Sequence, residues 1–340
     1  MMEIRNFARG RRRFLAAVGG FGMASLTLSL GAATRRETAL DKLNDVVGKN
    51  MCISPSSIPT LRIDPSALPK DLTFVGSRLL KLGFLDEVAQ LYGKRTGNRV
   101  RVIGDGCDGG LIAARSGKAH FGELCCPVQE SPAAGMCWLP VAQDMKVVLA
   151  SPANPVQDIS LVNLRKVATG EIRNWRELGG ADRPIAFIVH NHCPPYLEPV
   201  RTALLNSGKN WSQYAMRSNT DTDHLRQLAR FGPSLGVDSW VLAAPYVKRG
   251  QLKVLSIDGV MPSVRSVSRG DYPLSGPLNL IFALWMDDLM RPFLDFIYSE
   301  EGQEIIAKNA VPVSGMQAAE LGYAPEYVQT TKNSVIKNRV

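Results

Sequence analysis

From residue 72 onward, short apolar runs rich in β-branched and aromatic residues alternate with stretches whose apolar residues recur at helical spacing. Leu72-Thr73-Phe74-Val75 predicts a strand, Leu79 to Thr96 a helix ended by Gly97, and Arg99 to Ile103 a second strand. Leu111 to Gly117 predicts a short helix, Ala119 to Leu124 a strand, and Trp138 to Ala150 a long strand or pair of strands. Leu161 to Thr169 and Arg173 to Leu178 read as helical, Ile185 to Val189 as a strand, and Tyr196 to Ser207 as a helix after a proline pair. Such alternation implies a mostly parallel sheet in an α/β fold, and 340 residues suffice for two lobes with a core each.

The net charge of +9 invites a nucleic-acid reading until it is located. Residues 1–36 hold seven arginines against Glu3, which leaves +3 for the remainder and no basic patch. Nucleic acid is therefore not an expected partner. Arg11-Arg12-Arg13-Phe14-Leu15 followed by the Gly- and Ser-interrupted apolar stretch Ala16 to Ala33 predicts a twin-arginine export signal with cleavage near Ala32-Ala33. The periplasm is the expected location. Residues 37–70, rich in Pro and Ser, predict an irregular lead-in.

Four of the six cysteines fall in three turns, each directly after a predicted strand. The turns are Gly104-Asp105-Gly106-Cys107-Asp108-Gly109-Gly110, Gly122-Glu123-Leu124-Cys125-Cys126-Pro127 and His190-Asn191-His192-Cys193-Pro194-Pro195. Ligands of open α/β sheets bind at the carboxyl ends of strands, so these thiols point to a thiol-seeking ligand. One or two disulfides are the competing reading, because an exported chain meets an oxidising compartment. The spacing Gly104-x-Gly106-x-x-Gly109 fits a dinucleotide fingerprint, but the helix after it is short; the glycines more plainly bring backbone N–H groups to an anion or position Cys107. No H-E-x-x-H and no P-loop is present, and catalysis is not expected. Cys137 is expected in the core, Cys52 in the lead-in is a disulfide partner or a free thiol, His120 flanks a strand, and His224 is expected on a solvated helix.

Several longer motifs give the chain a family resemblance. They are Val141-Ala142-Gln143-Asp144, the run Thr169-Gly170-Glu171-Ile172-Arg173-Asn174-Trp175-Arg176-Glu177-Leu178-Gly179-Gly180, Ser256-Ile257-Asp258-Gly259-Val260 with Pro262, Asp271-Tyr272-Pro273-Leu274-Ser275, and Ser299-Glu300-Glu301-Gly302-Gln303. From about Leu72 to Val313 the chain resembles periplasmic solute-binding proteins of the phosphate-binding type. The resemblance implies a two-lobed α/β fold (type II) with two crossover strands, a central ligand cleft and hinge closure. It implies lobe 1 from 71–147 and 272–340, and lobe 2 from 148–271.

The family grips phosphate with Ser, Arg and Thr in four turns. Here the first survives as Gly76-Ser77, Cys107 stands where the second has a hydroxyl, Cys125-Cys126 replaces a Ser-Arg pair, and Cys193-Pro194-Pro195 replaces Ser-Gly-Thr. Loss of the guanidinium removes a bidentate anion contact. The expected ligand is arsenite, whose hydroxyls exchange for thiolates, held by Cys107, Cys126 and Cys193. Cys125 would support them, with Ser77 and the Gly106, Asp108 and Gly109 turn around the site. No cofactor is expected. A subgroup of the family senses arsenite and signals to a membrane sensor histidine kinase, and the chain resembles that subgroup. Two alternatives stand beside it: an oxyanion-binding component of an ABC transporter, and a soft-metal (Cu or Zn) protein using His190 and His192 with the same thiols, although C-x-x-C and H-x-x-x-H spacings are absent.

Overall fold

The computed structural model of the chain describes residues 66, 68–129, 131–190, 198–205, 210–324 and 327. The expected export signal (1–36), nearly all of the lead-in, and Cys52, His192 and Cys193 lie outside the described residues.

Strand β1 (Leu72–Gly76), buried throughout, pairs in parallel with β2 (Val100–Gly104). Between them the chain is helical from 78 to 96. Helix α1 (Arg78–Leu80) opens under Ser77, whose hydroxyl accepts the Leu79 N–H, and passes through a π-helical stretch (Lys81–Leu85) into α2 (Asp86–Thr96). Gly97, left-handed at φ 77°, stops it.

Helix α3 (Gly106–Arg115) begins five residues before the expected Leu111, so Cys107, Asp108 and Gly109 stand on its first turn. Glycine explains both the start and the position. Gly106 takes φ 75°, and a Cβ at Gly110 would lie 2.5 Å from the Val75 carbonyl oxygen. The glycine run lets a helix lie directly on strand backbone. Strand β3 (Gly122–Leu124) then follows, with Phe121 bridging to Phe74 of β1.

Strand β4 (Cys137–Ala150) is one continuous strand, where the sequence left a pair open. It joins the two lobes by changing partners. From Cys137 to Met145 it pairs antiparallel with β10 (Ser275–Phe282), which also carries β3. From Lys146 to Ala150 it pairs with β8 (Ser234–Ser239), next to β6 (Ala186–His190) and β7 (Met216–Ser218). Beside the switch runs the segment leading into β10. The Lys146 N–H donates to the Leu274 carbonyl and the Tyr272 hydroxyl to the Lys146 carbonyl, so β4 and the segment before β10 run side by side between the lobes.

Each lobe has its own aromatic packing. In the first, Phe121 meets Phe282 edge-on at 5.7 Å between ring centroids, and Phe293 packs against Tyr92. In the second, β5 (Asp158–Ile159) adds to the sheet beside the strand Lys253–Ile257, α4 (Leu161–Thr169) follows it, and Trp175 is buried with its indole N–H on the Pro233 carbonyl. The helix expected over 173–178 shortens to a 3-10 turn (Trp175–Leu178) under an Asn174/Glu177 capping box. Helix α5 (Pro199–Leu205) forms the described part of the helix expected from Tyr196. Further second-lobe elements are α6 (Asp221–Arg230), α7 (Trp240–Lys248), β9 (Lys253–Ile257) and α8 (Val264–Ser268).

Two expectations change. His224 is fully buried on α6, not solvated; its Nε2 faces the Ile188 carbonyl at 3.2 Å and its Nδ1 faces Asp238 at 3.1 Å. Its helix is amphipathic, and the imidazole falls on the inward face, between the Asp238 carboxylate and the Ile188 carbonyl. Cys137 is fully buried as expected but is disulfide-bonded rather than a core thiol.

Candidate functional site

The carboxyl ends of β1, β2 and β3 converge, and the three turns there share backbone contacts. The Asp105 N–H donates to the Gly76 carbonyl at 2.7 Å, and a Cβ at Gly122 would lie 2.5 Å from the Gly110 carbonyl oxygen. That close approach brings the first turn of α3 over the end of β3. The sulfurs of Cys107 and Cys125 lie 3.5 Å apart as a result. Neither residue is in a disulfide. A disulfide requires about 2.05 Å between sulfurs, so this pair is in hydrogen-bond contact without a covalent bridge. For Cys107, Cys125 and Cys126 the disulfide reading is therefore corrected; Cys193 lies outside the described residues.

The sulfur facing Cys107 belongs to Cys125. The sequence reading gave Cys126 the direct role and Cys125 the supporting one. Cys126 is fully buried, and its carbonyl accepts from the Asn279 side chain. Adjacent residues at a strand end point opposite ways, which the sequence alone cannot resolve once a turn breaks the alternation. Asp108 is exposed on α3, and Gly106 and Gly109 shape the turn.

Ser77 survives from the anion-gripping set, but its donors are already used. Its backbone N–H donates to Glu123 Oε2 at 2.7 Å and its hydroxyl to Oε1 at 2.6 Å. Glu123 is fully buried. Burial, reinforced by the Cys125 charge and opposed by the Ser77 bonds, pushes its carboxyl up to about 8.

A second carboxylate lies where β4 crosses between lobes. Asp144, fully buried, accepts the Ser239 hydroxyl at 2.7 Å and pairs with Lys146 at 2.9 Å. Burial raises the Asp144 carboxyl, while Lys146 and Ser239 pull it back. For Lys146, burial alone would lower the ammonium; Asp144, Cys125 and Glu198 hold it well above the usual lysine value. Cys125 thus contributes to the electrostatics of Glu123, Asp144 and Lys146 alike.

Next to this cluster is a partly open cavity of about 40 Å³ lined by Leu79 and Lys146 and by His190, Glu198, His224 and Ser239. The thiols do not line it; Lys146 joins the two features. His190, weighed as a metal ligand, faces Asp221 at 3.0 Å and the His224 ring at 5.8 Å. Among the described residues no group of three or more His, Cys, Asp or Glu side chains is placed to hold a metal ion. His120 is buried, accepts the Thr73 N–H through Nδ1, and is driven by burial down to about 4.

The sequence reading missed Glu123 and the Asp144–Lys146 pair. Their signal was present: charged residues inside otherwise apolar strands, and in β4 two opposite charges at i and i+2, on one face. It also passed over Gly232-Pro233-Ser234-Leu235-Gly236, which has nucleophile-elbow spacing. Ser234 opens β8 instead of ending a strand, is fully buried, and donates its hydroxyl to the Leu228 carbonyl at 2.7 Å, so no nucleophile is exposed there.

A family model described as a PBP superfamily domain matches residues 64–301. The phosphate-binding protein PstS of Bacillus subtilis is 26% identical over 253 residues, covering 72% of this chain and 82% of that protein. Among solved structures, a Clostridium perfringens protein assigned as a phosphate ABC transporter substrate-binding protein, solved with phosphate bound, superposes with a TM-score of 0.62 at 22% identity, covering 72% of this chain and all of that one. An ABC-type phosphate transport receptor from Vibrio cholerae superposes with a TM-score of 0.56 at 19% identity, again covering 72% and 100%. These structures share the two-lobed α/β fold derived above, and the chain belongs to the PBP superfamily.

Proposed function

We propose that this chain is a solute-binding protein whose cleft takes a small, neutral, thiol-seeking inorganic solute, arsenite, at the Cys107–Cys125 pair. The observation that carries the reading is the 3.5 Å approach of two sulfurs, not joined as a disulfide, at converging strand ends. Arsenous acid, As(OH)3, reacts with two thiols to give a dithiolate As–OH species and two waters. Two As–S bonds form, two As–O bonds break, and each thiol proton leaves in water. A third sulfur from Cys193 belongs to the reading, but that residue lies outside the described ones.

Capture of phosphate or another oxyanion for an ABC transporter is the second reading, and the comparisons by themselves favour it. The Bacillus subtilis relative is named for phosphate, the Clostridium perfringens structure was solved with phosphate, and the Gly76-Ser77 turn is retained. Those relatives also make a transporter permease the better-supported partner; the sensor kinase draws no support from them. Against phosphate in this chain stand the missing arginine and the use of both Ser77 donors by Glu123. Export to the periplasm through the Arg11–Arg13 signal belongs to the same proposal.

Calorimetry on reduced protein with arsenite, phosphate and arsenate separates the readings. Arsenite binding that is lost in Cys107→Ser and in Cys125→Ser is the expected result. Tight phosphate binding with no arsenite heat overturns the thiol reading in favour of the oxyanion one.

A further inference from the structure

Glu123 answers to neither reading. Nothing in the resemblance calls for an acidic side chain in the third turn, yet this one is fully buried. It accepts two short bonds from Ser77, one from the backbone and one from the hydroxyl. Ser77 is also the cap of α1, with its N–H at a strand end; a phosphate oxygen would need those same donors. The carboxyl thus occupies the position of an incoming anion's oxygens. It is packed tightly there, since a Cβ added to Gly76 would lie 2.6 Å from the Glu123 Cβ and 2.9 Å from Oε2. The nearby cation gives no relief, because Lys146 is paired with Asp144 at 2.9 Å.

We infer that Glu123 is the specificity-determining residue of this cleft: its carboxyl acts as a built-in oxyanion that takes the Ser77 donors, closing the site to phosphate and arsenate and leaving it to uncharged solutes. The inference rests on this cleft being the solute site. Exclusion works in both protonation states. The protonated carboxyl still fills the space and still takes the Ser77 N–H. Above about pH 8 the carboxylate adds a negative charge in a buried setting. Loss of a single donor set matters because a buried anion needs every one of its oxygens satisfied.

The test is calorimetric titration of the full, reduced chain with inorganic phosphate and with arsenate, comparing wild type, Glu123→Ala and Glu123→Gln at pH 7 and pH 9. Wild type should bind both anions weakly. Glu123→Ala should bind them at least tenfold more tightly, on the scale set by one freed donor pair, and Glu123→Gln should gain less because the amide still fills the space. In wild type the residual anion affinity should fall from pH 7 to pH 9 more steeply than in Glu123→Gln. If Glu123→Ala does not fold, the near-isosteric Glu123→Gln carries the comparison. No gain in a folded variant overturns the inference. So does tight phosphate binding by wild type that weakens in Glu123→Ala, which would make the carboxyl a phosphate contact. An arsenite titration of wild type and Cys107→Ser keeps the two claims apart. Anion gain without any arsenite binding leaves Glu123 as the selector and removes the thiol reading; arsenite binding without anion gain does the reverse.

Discussion

Two serines, one in each lobe, hold the same local position and differ in what stands behind them. Ser77 follows β1 and caps α1; Ser239 ends β8 and caps α7. Each donates its hydroxyl to a fully buried carboxylate, Ser77 to Glu123 at 2.6 Å and Ser239 to Asp144 at 2.7 Å. Asp144 has a cation, Lys146, on its own strand. Glu123 has no ion pair among the described residues, and its close neighbour is the Cys125 thiol, whose charge raises its carboxyl further. A buried charge with a partner holds a fold together; a buried acid beside two apposed thiols, at a strand end, is poised for a ligand.

The largest expected effect falls on the paired acid. Asp144→Ala strands the Lys146 ammonium and should cost about 3–5 kcal/mol in denaturant unfolding, the range for breaking a buried pair. If Asp144→Ala is milder than Glu123→Gln, the division between structural and ligand-facing acid collapses.

The next effect is a pH dependence of opposite signs. Glu123 titrates near 8 in the folded state against 4.5 ordinarily, so the folded chain binds the extra proton between those values. Its contribution is whole below pH 4.5 and is lost as pH rises through 8, by on the order of a few kcal/mol. His120 runs the other way. With its folded value near 4 against 6.5, its contribution is whole above pH 6.5 and is lost as pH falls toward 4. Thermal unfolding across pH should therefore weaken on both sides, and Glu123→Gln should flatten the alkaline side alone. Loss of the acid side in that variant would assign the titrations wrongly.

Smaller again are the caps. Ser77→Ala and Ser239→Ala should each cost about 1 kcal/mol near neutral pH. Above pH 8 they should diverge, because Asp144 keeps Lys146 while Glu123 loses a hydroxyl with no cation to replace it. Equal costs at pH 9 would mean that the missing cation does not matter. Smallest in stability is Cys107→Ser, at under about 0.5 kcal/mol for a partly exposed thiol, although arsenite binding should vanish with it.

Much of this architecture was legible residue by residue. The helix Leu161–Thr169 falls where its periodicity and Gly170 stop predicted it, and the strands at 72, 100 and 186 lie within a residue of expectation. Helix α3 did not, because glycine propensity argues against a helix through Gly106–Gly110 and only contact with the Val75 backbone makes that run useful. His224 was misread for a related reason: helical periodicity tells which face turns inward only when the inward residues are apolar, and here a polar ring lies inside, between a carboxylate and a carbonyl.

The sequence by itself determined the α/β alternation, the family markers, and the three turns in which sulfur stands where an oxyanion's donors are expected. Tertiary structure decided which thiols meet. Cys125 rather than Cys126 faces Cys107 because the Gly110–Gly122 approach sets how far α3 overlies the end of β3, and no one-dimensional spacing encodes that distance. It also decided that the retained Ser77 is not an open anion grip. Forty-six residues separate Ser77 from Glu123, and only the parallel arrangement of β1 and β3 brings the carboxyl onto its donors.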